Sequence, residues 1–138
     1  MKPALAIALA AAVGASGLRV EVSGLRNGAG HLLCELFASP QGFPTDPGLA
    51  LARASAPISE GRATCDFAEL PRGRYAVAVV HDENDSGGLD RNFLGLPAEG
   101  VGASRNAHGH LGPPSFDDAS FDYSGGLQEL EIKVTYPP

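Results

Sequence analysis

The segment HDENDSGGLD, His81 to Asp90, crowds oxygen-bearing side chains together directly after the apolar run YAVAVV. Counting from Asp82, oxygens fall at the first, third, fifth and ninth positions: Asp82, Asn84, Ser86 and Asp90. Gly87 stands sixth, where a sharp turn is needed, and Gly88 offers its backbone carbonyl at the seventh. A hard cation such as Ca²⁺ takes about six to eight oxygens, and a tight loop with this spacing can supply many of them. The twelfth position, where a bidentate Glu would close an EF-hand, is Phe93, and the flanks read as strand and loop rather than helices. The ligand shell therefore needs completing from elsewhere. Glu99 is the nearest downstream carboxylate, with Asp85, Asn92, Asp117 and Asp118 as further candidates. With two well-placed carboxylates the expected affinity is weak, about 10⁻⁴–10⁻³ M, as in extracellular calcium modules.

A second reading needs no metal. Asp-Ser-Gly-Gly is good turn chemistry, and Asp and Asn side chains readily cap their own backbone at a strand end. Catalysis is a third reading. His108 and His110, one residue apart, could hold Zn²⁺ together with His81 and Asp82, and the metal would then activate a water. Nucleophilic chemistry is poorly supported. Ser104 and Ser115 lack a strand–turn–helix setting, and no Gly-x-Ser-x-Gly elbow is present. Asp82, Asp85 and Asp90 lie in one turn, not across a cleft as a glycosidase pair must. The balance points to a non-enzymatic module with calcium as its cofactor, the zinc hydrolase standing as the alternative.

The elements around this loop alternate with a period of two. LRVEVSGL (Leu18 to Leu25) passes through the Asn-Gly turn RNGAG to HLLCELF, a hairpin signal. LALARASAPI is ambiguous between a helical turn and an edge strand. RATCDFAEL and RYAVAVVHD read as strands joined by LPRG. LQELEIKVTY alternates cleanly, with Leu130, Ile132, Val134 and Tyr136 inward and Glu129, Glu131, Lys133 and Thr135 outward. Short alternating segments with Gly/Pro turns predict an all-β fold, a single antiparallel β-sandwich of about seven strands. One long Gly/Pro-rich loop, Asn92 to Gly126, breaks the pattern. Such excursions usually carry function, disorder or a tether. Within it Ser115 precedes Asp118 by three residues, the spacing of a capped helical turn, and Phe116 and Phe121 could pin the loop to the sandwich.

The chain has 138 residues, enough for one domain. MKPALAIALAAAVGASG has the layout of a secretory leader: Lys2, then the apolar stretch Ala4 to Val13, then small residues for cleavage at Ala15 or Gly17. The expected organisation is a signal peptide over 1–17 and a β-sandwich domain over 18–138, secreted or periplasmic. No further run is long and apolar enough for a transmembrane helix. A net charge of −6 without a basic run argues against nucleic acid and anionic lipid. Tryptophan is absent, so no stacking platform is evident. The expected partner is an envelope protein or glycan, met by a monomer. Cys34 shares a strand face with Leu32 and Leu36, and Cys65 with Ala63 and Phe67. In an oxidising compartment two inward thiols predict one structural disulfide, contributing about 3–4 kcal/mol by chain entropy.

NGAGHLLCELF, ELPRGRYAVAVVHDENDSGGLDRNFLGLPAEGVGAS and GPPSFDDASF together resemble the small exported bacterial family called domain of unknown function 2141. The resemblance runs over nearly the whole mature chain. Its specific part is His81-Asp82-x-Asn84, a Gly-bearing loop, Asp90-x-Asn92, then Leu94-Gly95-x-Pro97-x-Glu99-Gly100 and later Gly112-Pro113-Pro114-Ser115-Phe116. Ser86 stands where Asn or Asp is more usual. Leu70-Pro71-x-Gly73-x-Tyr75 also looks like the start of a strand in transthyretin-like and collagen-adhesin B-type sandwiches, mainly binding, stalk or accessory modules. The resemblance implies the fold and carries no activity with it.

Overall fold

The alternating runs become strands, and each buries the face that its spacing predicts. A computed structural model describes residues 16–87, 99–109 and 112–137. β1 covers Gly17–Ser23, β2 His31–Phe37, β3 Ala52–Ala56, β4 Ala63–Phe67 and β5 Gly73–Asp82. β6 is Val101–Ala103, β7 Phe121–Tyr123 and β8 Leu127–Lys133, and a short helix, α1, lies at Phe116–Ala119. The leader expected over 1–17 lies outside the described residues except for Ser16 and Gly17, and Gly17 is the first residue of β1. No helix among the described residues is long and apolar enough to cross a membrane.

Two sheets face each other: β4-β1-β8, and β3-β2-β5-β6 with β7 also paired to β5. The all-β sandwich stands, with eight strands among the described residues where about seven are expected. Two details of pairing differ from the sequence reading. β1 and β2 do not form a hairpin, because the RNGAG turn carries the chain from one sheet to the other. Turn chemistry specifies a reversal of direction, and a crossover between sheets satisfies it as well as a hairpin does. β1 also pairs β8 in parallel, Val20 opposite Leu130, while its β4 ladder is antiparallel.

The inter-sheet core takes Leu18, Val20 and Val22 from β1, Leu32, Cys34 and Leu36 from β2, and Ala63, Cys65 and Phe67 from β4. Tyr75, Val77 and Val79 join from β5 and Ile132 from β8, with Val134 just beyond; Leu130 and Tyr136 pack partly buried at its edge. LALARASAPI resolves as the edge strand β3, preceded by a 3-10 turn at Pro47–Leu49 that Asp46 caps. Cys34 and Cys65 meet in this core from opposite sheets as free thiols. The expected disulfide is therefore absent here, since the bond needs an oxidant as well as proximity.

The two outer faces differ. That of the smaller sheet is polar, with Arg19 bonded to Asp66 at 2.9 Å and Thr64 to Glu21 at 3.1 Å. On the larger sheet, Phe37, Ala76, Ala78 and Ala103 form a second cluster with Phe116 and Ala119 of α1. The small alanines leave room for the helix, and Phe43 meets Phe37 and Phe116 edge-on at 5.3 and 5.9 Å. α1 starts as its sequence predicts, with Ser115 Oγ accepting from the Asp118 N–H at 3.0 Å. Ser104 then locks it down, its hydroxyl donating to Ala119 O at 2.6 Å while accepting from the Val77 N–H at 2.9 Å. The stretch Asn92 to Gly126 is thus not structureless over its described part: it holds β6, a 3-10 turn at Ser104–Asn106, α1 and β7. Three-residue strands are too short for alternation to show.

Candidate functional site

β5 ends at Asp82, and the turn that follows winds around that residue's carboxylate. Asp82 is fully buried. Its Oδ1 accepts from the Ser86 N–H at 2.9 Å and the Ser86 hydroxyl at 3.2 Å, and its Oδ2 accepts from the Gly87 N–H at 2.8 Å. Asn84 Oδ1 lies 3.3 Å from the same Ser86 N–H. Asp82, Asn84 and Ser86 are therefore gathered in one turn, as their spacing predicts, and the oxygens serve the turn's own backbone. Charge-assisted bonds of this kind are the strong ones. Gly88, Asp90 and Asn92 lie outside the described residues.

The rim of the turn is clamped from two sides. Glu99, buried just before β6, accepts the Glu83 N–H at 2.9 Å on Oε2. The Glu83 side chain turns toward the β1–β2 turn and takes three bonds: Arg26 Nη2 at 2.7 Å, Arg26 Nε at 3.0 Å and Asn27 Nδ2 at 2.8 Å. The bidentate guanidinium holds the Glu83 carboxyl down to about 2, with Asn27 assisting. Arg26 also lies over the Tyr136 ring, 4.5 Å from its centroid.

His81 points the other way, into the sandwich, and is fully buried. Its Nε2 lies 2.8 Å from the Ala29 carbonyl, which can only accept, so Nε2 carries the proton. Nδ1 must then accept, and the Tyr136 hydroxyl donates to it at 2.7 Å while accepting the Arg26 N–H at 2.9 Å. Burial raises the Tyr136 phenol and keeps that proton in place. Both ring nitrogens are engaged, so His81 offers no ligand to zinc while this chain of bonds holds. His108 is exposed and belongs to no convergent ligand group among the described residues, and His110 lies outside them. Asp117 and Asp118 sit exposed in α1 and do not join Asp82.

Sequence reading missed the partners that β2 and β3 bring. His31 opens β2 directly opposite Asp82 in the antiparallel ladder. Its Nδ1 lies 2.5 Å from Asp85 Oδ1 and its Nε2 3.8 Å from Asp82 Oδ2. Gly30, with φ at +62°, sets up the approach, since a Cβ there would sit 1.9 Å from the Asp82 carbonyl oxygen. Four rungs along, on the same outer face, Glu35 is buried and pairs with Arg53 at 3.3 Å. Burial raises the Glu35 carboxyl and Arg53 offsets part of that. Arg53 Nη2 also donates to the Gly87 carbonyl at 3.1 Å, tying the turn back onto the sheet. No local spacing announces these contacts. They are register relations between distant strands.

Among known proteins, a solved pilus-presented adhesin is similar at 17% identity and a TM-score of 0.22, over 90% of this chain and 28% of the adhesin. The chain thus spans under a third of that protein's length. No curated protein matches. The family model described as "uncharacterized protein conserved in bacteria" (DUF2141) matches residues 20–131, in agreement with the motifs quoted above, and the chain belongs to that family.

Proposed function

We propose that the protein is an exported, non-enzymatic β-sandwich module of the bacterial envelope, secreted or periplasmic once its leader is removed. Its working surface is the loop face built on Asp82 to Asp90, which meets an envelope protein or glycan. The single observation that carries the reading is the Asp82 turn. A fully buried carboxylate gathers the Ser86 and Gly87 backbone, while Glu99 and the Arg26–Glu83 pair hold the next residue from both sides. Such investment in fixing a polar loop suits presentation of a surface. The engaged nitrogens of His81 speak against the hydrolase alternative. Calcium fits as the ordering ion, drawing on Asp82, Asn84, Ser86, the Gly88 carbonyl, Asp90 and Glu99.

Calorimetric titration with Ca²⁺, paired with thermal melting in chelator and in millimolar calcium, tests the ion. Heat and a raised melting temperature are expected in the wild type, both lost in Asn84→Ala/Asp90→Asn, which leaves the capping carboxylate intact. Identical melting curves in chelator and calcium remove calcium from the proposal. For the working surface, pull-down from an envelope extract should fail when Asp85 and Ser86 are both replaced by Arg; capture indifferent to that change removes the loop face.

A further inference from the structure

We propose that His31 and Asp82, with Asp85 as a positioning residue, form a site for a divalent transition ion of zinc or cobalt(II) type. The site shares Asp82 with the all-oxygen calcium cradle and differs from it by the imidazole nitrogen of His31, which the cradle lacks. One ligand atom from each of the three side chains lies within 4.8 Å of the others.

The tautomer of His31 is set by Asp85. Asp85 Oδ1 lies 2.5 Å from Nδ1, and an ionised carboxylate can only accept. Nδ1 therefore donates, and in the neutral ring Nε2 is left with a bare lone pair. Nε2 lies 3.8 Å from Asp82 Oδ2. The distance is too long for a hydrogen bond, so a proton on Nε2 would not bridge it well. Ligands at about 2.0–2.2 Å from one ion stand roughly 3.3–3.6 Å apart in a tetrahedral shell, so a small closure of the partly exposed His31 ring brings the two atoms to that separation. Asp82 Oδ2 takes one N–H, from Gly87, and retains acceptor capacity on its other side. Two acceptors this close call for a positive charge between them, and a divalent cation supplies it.

The remaining parts agree with that assignment. A carboxylate on the distal nitrogen of a ligating histidine fixes its tautomer and raises its basicity, which is the relation of Asp85 to His31. Asp82 is fully buried and held by backbone bonds, so one ligand is fixed in advance. The His31 side chain is 28% exposed and Asp85 66%, leaving a way in from solvent and room for water to complete the shell. Imidazole nitrogen selects zinc, cobalt or nickel over calcium and magnesium.

The test uses the untagged protein and the metal alone. Co²⁺ is titrated in a non-chelating buffer and followed by its ligand-field absorption, and Zn²⁺ by calorimetry. The wild type is expected to bind both, with a Zn²⁺-induced shift of the His31 ring proton resonances. His31→Gln abolishes binding and leaves any calcium response unchanged, whereas Asn84→Ala removes the calcium response and spares cobalt. Asp85→Asn weakens binding about 10–100-fold. His108→Ala/His110→Ala leaves it unaltered. Absence of a cobalt spectrum, or a spectrum that survives His31→Gln in a folded variant, overturns the proposal and leaves His31 as an ion-pair partner of the two carboxylates.

Discussion

The hydroxyl of Tyr136 closes on Nδ1 of His81 at 2.7 Å, joining the chain beyond β8 to the end of β5 inside the sandwich. Because Nε2 is committed to Ala29, this phenol is the donor on which His81 depends. Tyr136→Phe keeps the ring packing and deletes the donor, leaving a buried acceptor unmet. The expected loss is about 1–3 kcal/mol, read as a lower urea midpoint at unchanged slope.

Glu83 makes the fold sensitive to acid. Its folded value is near 2, below the ordinary 4.5, so its contribution is complete above 4.5 and is lost as pH falls toward 2. Thermal melting between those limits should drop less steeply in Glu83→Gln than in the wild type. Parallel slopes would mean that the Arg26 clamp is too well solvated to matter.

Glu35 predicts the opposite sign. Its folded carboxyl is raised by burial despite Arg53, so the charged form is the less favourable one inside the fold. Glu35→Gln should melt higher than wild type at neutral pH. The gain should shrink as the solution is acidified toward 4.5, where the unfolded-state carboxyl also takes up its proton.

The core thiols should be silent in the folded protein. Burial pushes the Cys34 thiol well above its ordinary value, and the Cys65 hydrogen bond adds to that. Under reducing conditions an alkylating reagent should label neither cysteine until denaturant is added, when mass spectrometry should find both modified. Rapid labelling of native protein would show that the sandwich opens more readily than its packing suggests.

What could be read from the residues was whatever their local spacing determines. Ser115 and Asp118 are three apart, and a cap needs nothing else. The inward faces of Cys34, Cys65, Ile132 and Val134 follow from a period of two. Asp82, Asn84 and Ser86 fall into one turn because they are near neighbours whose side chains cap backbone N–H groups. Long-range relations stayed hidden. Nothing near His31 announces that it will stand opposite Asp82, since that depends on the register of strands far apart in the chain. The Asn-Gly turn after β1 looks the same whether it leads to a hairpin or a change of sheet. β6 and β7 are each three residues long, too brief for any periodicity, and their partners decide them.

The parallel ladder between β1 and β8 has a mechanical consequence. Its seven paired rungs run from Gly17–Leu127 to Ser23–Lys133, so the chain enters β1 at one end of the ladder and leaves β8 at the other. Tension applied through the two termini would pull these neighbours past each other lengthwise and load all the rungs at once. A hairpin in that place would unzip one rung at a time. The domain is therefore built to resist stretching along its own axis.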